Sequence, residues 1–140
     1  MNYYLIMKLD NLLNLNFNQP IGNNYVLIIA SIAFALMGMS AFLKPLFITR
    51  QFDINELTIA GRNEIRAVYG GFGLFMSLSL IFSLIVPELR NGVALTTSFA
   101  LGGMAFGRII SAINDKSIGK WPLFYGILEF SSAYLILFTN

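Results

Sequence analysis

Asn63-Glu64-Ile65-Arg66-Ala67-Val68-Tyr69-Gly70-Gly71-Phe72-Gly73 carries its charges straight into a stretch, residues 67–87, that has none. About 20 apolar residues cross the roughly 30 Å hydrocarbon core of a bilayer as a helix, so this stretch reads as the start of a transmembrane span. The same pattern recurs on either side of it. No charge falls between Asp10 and Lys44, or between Arg90 and Arg108. A chain of 140 residues that is 56% hydrophobic and 11% charged, with mean hydropathy +0.70, has the composition of a membrane protein rather than a soluble domain.

The span opened by this stretch covers about 63–86 and stops at Pro87. Asn63 reads as its N-cap and Glu64 as a favourable first-turn charge. At helical spacing Arg66, Gly70, Gly73 and Ser77 share one face, with Tyr69 beside them. That face is either a close helix contact or the wall of a pocket, since glycines beside a large cation leave space for both. The preceding loop, 49–62, interleaves Arg50, Asp53, Glu56 and Arg62 with Phe52, Ile54, Leu57 and Ile59, a mixture suited to the membrane surface, and Gly61 breaks it. Earlier still, a span over 24–47 carries Ser31, Ala35 and Gly38 as a narrow packing face. Pro45 ends or kinks it, and Lys44 reaches the headgroups along its own stem. Residues 1–23 read as an interfacial segment, since Leu5, Leu9, Leu12 and Leu13 recur at helical spacing, with a polar tail as the alternative, and they do not look like a cleavable signal peptide.

On the other side, residues 87–91 are too short a connector for anything but antiparallel neighbours. The third span, 92–113, carries Thr97, Leu101, Met104 and Arg108 along one face and a Gly103, Gly107, Ser111 stripe on another, which predicts self-association. After a polar loop at 114–120, Trp121 anchors the fourth span, 121–138, where Tyr125, Glu129 and Ser132 share a face. The expected fold is all-α: four antiparallel transmembrane helices over 24–138, preceded by an interfacial amphipathic helix.

Threading the spans puts Lys44, Arg66, Arg108 and Glu129 in the same half of the bundle, although they come from four helices. At 1.5 Å per residue Arg108 lies about 8 Å deep and Glu129 about 12 Å. An ionisable residue inside a span costs roughly 2.5–3.5 kcal/mol at mid-helix and by default marks a functional site. The candidate ligand-binding set is therefore Arg66, Arg108 and Glu129, with Tyr69, Tyr125, Lys44, Gly70 and Gly73 around them. Two arginines and a lysine against one glutamate leave a surplus cation, and arginine's planar fork suits phosphate. The expectation is binding or movement of an anionic amphiphile such as a phospholipid or isoprenoid phosphate. The alternative is a structural or assembly subunit in which Arg108 and Glu129 only fix helix packing. An enzyme comes third, with Glu129 as base and Tyr69 or Tyr125 as acid, because no nucleophile accompanies them. The chain has neither cysteine nor histidine, so no disulfide, metal or cofactor is expected, and its scattered basic residues do not make a nucleic-acid surface. Arg50, Arg62, Lys116 and Lys120 on the charged side, against Lys8 and Arg90 on the other, predict a cytoplasmic charged side and periplasmic termini.

Lys44-Pro45 closing the first span, Glu64-Ile65-Arg66-Ala67-Val68-Tyr69-Gly70-Gly71 opening the second, Gly107-Arg108 late in the third and Glu129 in the fourth together resemble a bacterial family of small four-helix membrane proteins, the domain of unknown function 4345. The resemblance covers about 24–138 and implies a four-helix integral membrane fold in bacteria, with no agreed activity; the expected location is the bacterial inner membrane. It also implies an Asp-Gly turn before the fourth helix. Here Asp115 is followed by Lys116, and the glycine comes at Gly119.

Overall fold

The computed structural model describes residues 20–139, and these are helical with no strand among them. The expected interfacial helix lies outside the described residues except for its last four positions. Helix α1 spans Asn24–Leu43. It starts where Asn23, in extended conformation, accepts a hydrogen bond from the Tyr25 N–H at 2.9 Å. It stops at Lys44 because Pro45 has no N–H to continue the ladder. The proline instead opens a short helix α2, Pro45–Thr49, so the first span ends four residues before the expected boundary at 47.

A 3₁₀ turn, Arg50–Phe52, follows, closed by Asp53 at φ 62°. An extended stretch then leads to Thr58, whose hydroxyl accepts from the Gly61 N–H at 3.0 Å. That cap starts the second long helix at Ile59, not at Asn63, and Gly61 lies inside its first turn rather than breaking the chain. The helix runs as α3 (Ile59–Ile65), a π-helical segment (Arg66–Gly71) and α4 (Phe72–Ile85). The third long helix also begins early. Pro87 does not begin a connector; it takes the first helical position, where its missing N–H has no partner to lose. Helix α5 therefore spans Pro87–Asp115, and residues 87–91 form its first turn, with Glu88 near the positive end of the dipole. Lys116, at φ 52°, ends it, and α6 spans Lys120–Phe138.

Among the described residues four helices are long and apolar enough to cross a membrane: Asn24–Leu43, Ile59–Ile85, Pro87–Asp115 and Lys120–Phe138. Large apolar side chains such as Phe75, Ile85 and Ile113 point outward from them, as lipid contact requires. Helix α1 lies along α4. Partner numbers fall along the second helix as they rise along the first, from Ser31–Ser77 through Gly38–Gly70 to Phe42–Arg66. Helix α5 lies along α6, and α4 joins the two pairs by packing on α5.

The core gathers Leu27, Phe34, Leu80, Ala94, Leu101 and Ile136. Ile21 closes this core at the end where the described chain begins. Its N–H donates to Asn91 Oδ1 at 2.8 Å, while Arg90 donates to the Ile21 and Gly22 carbonyls. Gly22 takes φ 81°, a conformation glycine enters without strain, and a Cβ there would lie 3.3 Å from the Ile136 carbonyl oxygen. The core thus lies toward the end of the bundle that holds Ile21 and Arg90, away from the end that holds Lys44 and Arg66.

Candidate functional site

The segment that opens the second span is not regular α-helix. Phe72 N–H bonds to the Ala67 carbonyl, five residues back, and the wide turn takes up one extra residue, about 100° of ordinary helix rotation. Arg66 and Gly70 both meet Phe42 on α1, the first at its carbonyl and the second at its ring. Gly70, Gly73 and Ser77 are buried against α1, while Arg66 is exposed. The space beside the glycines is already occupied. A Cβ on Gly70 would lie 2.8 Å from the Phe42 ring, and one on Gly73 would lie 3.0 Å from Met37 Cε and 3.1 Å from the Phe34 carbonyl. Here the glycines serve close helix contact.

Arg66 Nε donates to the Phe42 carbonyl at 3.3 Å. Phe42 sits in the last turn of α1, where carbonyls have no onward helical partner, so the guanidinium caps that helix with one of its five N–H groups. Lys44, two residues beyond Phe42, is exposed.

Arg108 and Glu129 meet directly between α5 and α6. Nε reaches Oε2 and Nη2 reaches Oε1, each at 2.7 Å, a bidentate pair. Its side chains are 24% and 10% exposed, and it is the one ion pair among the described residues. The aliphatic stem of Arg108 rests on Gly126, where a Cβ would come within 3.3 Å of Cδ. Above the guanidinium lies the Tyr125 ring, its centroid 5.7 Å from Cζ, a cation–π arrangement. Tyr69, half-buried on the π-helical segment, is also close enough to interact electrostatically with Arg108. The sequence-derived set therefore divides. Arg108, Glu129, Tyr125 and Tyr69 come together, Gly70 and Gly73 pack on α1, and Arg66 and Lys44 stand at the exposed end of α1.

Residues that spacing did not single out complete the site. Tyr125 donates its hydroxyl to Gln51 Oε1, and Phe52 sets its ring 6.1 Å from that of Tyr125. Trp121 stacks on Tyr125 at 6.2 Å. The turn after α2 is thus tied to the start of α6 directly over the ion pair. Gln51 and Phe52 reach it through tertiary folding, and only Trp121 had a sequence signal, as an interfacial aromatic. No cluster of residues able to hold a metal ion occurs among the described residues.

Two cavities lie elsewhere. One of about 430 Å³ opens between α5 and α6, over Ser98, Gly102 and Gly103. The other, about 170 Å³, lies between α4 and α5 at Ser79, Thr96 and Thr97.

No curated protein and no solved structure matches the chain. A family model does, over residues 23–139, from the cap of α1 to the end of α6. The matched region contains the whole four-helix bundle, with its ion pair and π-helical segment, and the chain belongs to the family described as domain of unknown function (DUF4345).

Proposed function

We propose that this protein is a multi-pass protein of the bacterial inner membrane that binds, and helps to move, an anionic amphiphile whose phosphate sits at Arg66. The observation that carries the reading is the spare capacity of that side chain. Arg66 spends one N–H on the Phe42 carbonyl, is exposed, and has no acidic partner among the described residues. A guanidinium held in place by one bond and open at its fork suits phosphate. Lys44 adds a second cation at the same end of α1. The ion pair Arg108–Glu129 is electrically closed, with the Tyr125 ring over its guanidinium, and leaves the ligand's charge to Arg66 and Lys44. Envelope maintenance is the role that fits such a protein.

Native purification in mild detergent followed by lipid mass spectrometry tests this. Wild-type protein is expected to retain a phosphate-bearing lipid, and Arg66→Gln with Lys44→Gln to lose at least tenfold of it. Equal retention in both would overturn the reading. Basic residues Arg50, Arg62, Lys116 and Lys120 support a cytoplasmic site and periplasmic termini, and reporter fusions at Asn140 test the orientation.

One observation favours a second reading, a structural or assembly subunit. The Arg108–Glu129 pair satisfies itself bidentately and asks for no ligand. On that reading a protein partner, not lipid, co-purifies in fixed ratio.

A further inference from the structure

The glycines of this chain fall into two groups. Gly38, Gly70 and Gly73 lie against another helix within the chain, whereas a Cβ on Gly92, Gly102, Gly103 or Gly107 would meet nothing within 4 Å. Glycine weakens a helix, and a lipid chain packs as well on alanine or leucine, so only close approach of another helix compensates for it. The α1–α4 contact displays how such a face is used. Gly38 there allows backbone approach, and Ser31 and Ser77 share a hydrogen bond at 3.0 Å. The outer face of α5 carries the same elements, Ser98 with Gly102 and Gly103, as the floor of the 430 Å³ cavity.

Ser98, which lines this cavity, supplies a second and independent observation. Three other hydroxyls in the spans return to their own helix, Ser79 to the Phe75 carbonyl, Ser83 to Leu80 and Thr97 to Val93, and Ser31 and Ser77 satisfy each other. Ser98 is only 4% exposed, and among the described residues its hydroxyl alone is buried without a partner. A hydroxyl in an apolar setting is costly to leave unpaired.

We propose that this groove is the docking face for a second copy of the chain, related to the first by a two-fold axis. Self-complementarity favours a copy over a different partner. The groove presents a hole, over Gly102 and Gly103, and beside it knobs, Phe99, Phe106 and Phe130, that fit such a hole. The area is also sufficient. Phe99, Phe106, Phe130 and Tyr134 are 69%, 63%, 64% and 55% exposed. At about 150–250 Å² per aromatic side chain they hold on the order of 500 Å² per copy. Two copies reach roughly the 1,000 Å² that a specific interface needs. Helix α6, which forms one wall, is the least covered span, with 11% of its apolar window buried against 28% for the others.

The chain has no cysteine, so single-cysteine variants read the interface directly. Phe99→Cys, Gly103→Cys and Phe106→Cys are introduced one at a time and oxidised in native membranes, with Phe75→Cys on α4 as the outward-facing control. At least one of the three is expected to cross-link tenfold more than the control, and the detergent-corrected mass of the wild type to equal two chains. Gly103→Leu is expected to return the mass to one chain while leaving the helical circular dichroism unchanged, because its added side chain meets open space in the single chain. A one-chain wild-type mass, with or without bound lipid, would overturn the proposal. So would cross-linking no better than at Phe75, or a Gly103→Leu protein that keeps its two-chain mass.

Discussion

The α1–α4 seam and the α5–α6 seam join neighbouring helices by opposite means. The first is small and nearly dry of charge: Gly38 against the backbone at Gly70 and Leu74, with one serine pair at 3.0 Å. The second is held by a bidentate ion pair laid over Gly126, with a tyrosine ring above it. Close backbone approach leaves little room for substitution but strands no charge when it is disturbed. A buried ion pair tolerates an apolar swap of both partners yet not the loss of one. The two seams should therefore fail in different ways.

The largest effect is expected at the ion pair. Glu129→Leu leaves the Arg108 guanidinium largely enclosed and without its counter-charge, and should cost about 3–5 kcal/mol. Adding Arg108→Met should restore wild-type stability or exceed it by about 1–4 kcal/mol, since the desolvation of both charges is then avoided. Unfolding in mixed detergent and dodecyl sulfate measures both. A double variant as unstable as the single one would show that the pair contributes more than mutual compensation.

At the other seam a single methyl group is the probe. In Gly38→Ala the new Cβ would lie 2.8 Å from the Leu74 nitrogen and 2.9 Å from the Gly70 carbonyl, both backbone atoms with no rotamer to change. Overpacking of this kind costs about 1–3 kcal/mol. The same change at Gly92, where nothing lies within 4 Å, should gain up to about 1 kcal/mol from helix propensity alone. Equal effects at the two positions in the same unfolding assay would erase the distinction between the glycine groups.

That distinction also marks where sequence reading stops. The membrane class and four spans are legible because apolar runs of the right length have few other uses. Arg108 and Glu129 are legible as partners because each interrupts such a run at a similar depth. Gly70 with Gly73 and Gly103 with Gly107 have similar close spacing, but what lies opposite them is decided by tertiary packing. The π-helical segment is hidden for the same reason: residues 66–71 are compatible with ordinary α-helix, and the extra residue is placed where Phe42 packs on Gly70. Proline is ambiguous by nature, since it can close one helix or open the next. Pro87 opens α5 because the single residue Val86, at ψ 97°, already turns the chain. Thr58 outcompetes Asn63 as a cap because Ile59–Asn63 is itself able to be helical, and the earlier side chain captures the first free N–H.

The smallest effect is expected at the turn that joins α5 to α6. Lys116 takes φ 52° and ψ 25°, the left-handed position that commonly ends a helix and that glycine enters without a Cβ penalty. For a residue with a side chain this conformation costs roughly 1–2 kcal/mol. Lys116→Gly removes that strain, but it also frees the unfolded chain and deletes a cation near the negative end of the α5 dipole, worth about 0.3–1 kcal/mol at an exposed site. The net gain should be about 0.5 kcal/mol, read as a small rise in the unfolding midpoint in detergent. Lys116→Asn separates the contributions, because asparagine tolerates the left-handed region yet carries no charge. If the glycine variant gains and the asparagine variant falls between it and wild type, backbone strain dominates at this turn. If both lose stability, the lysine is retained for its charge at the end of α5, and the junction beside the ion pair is tuned by electrostatics rather than by backbone shape.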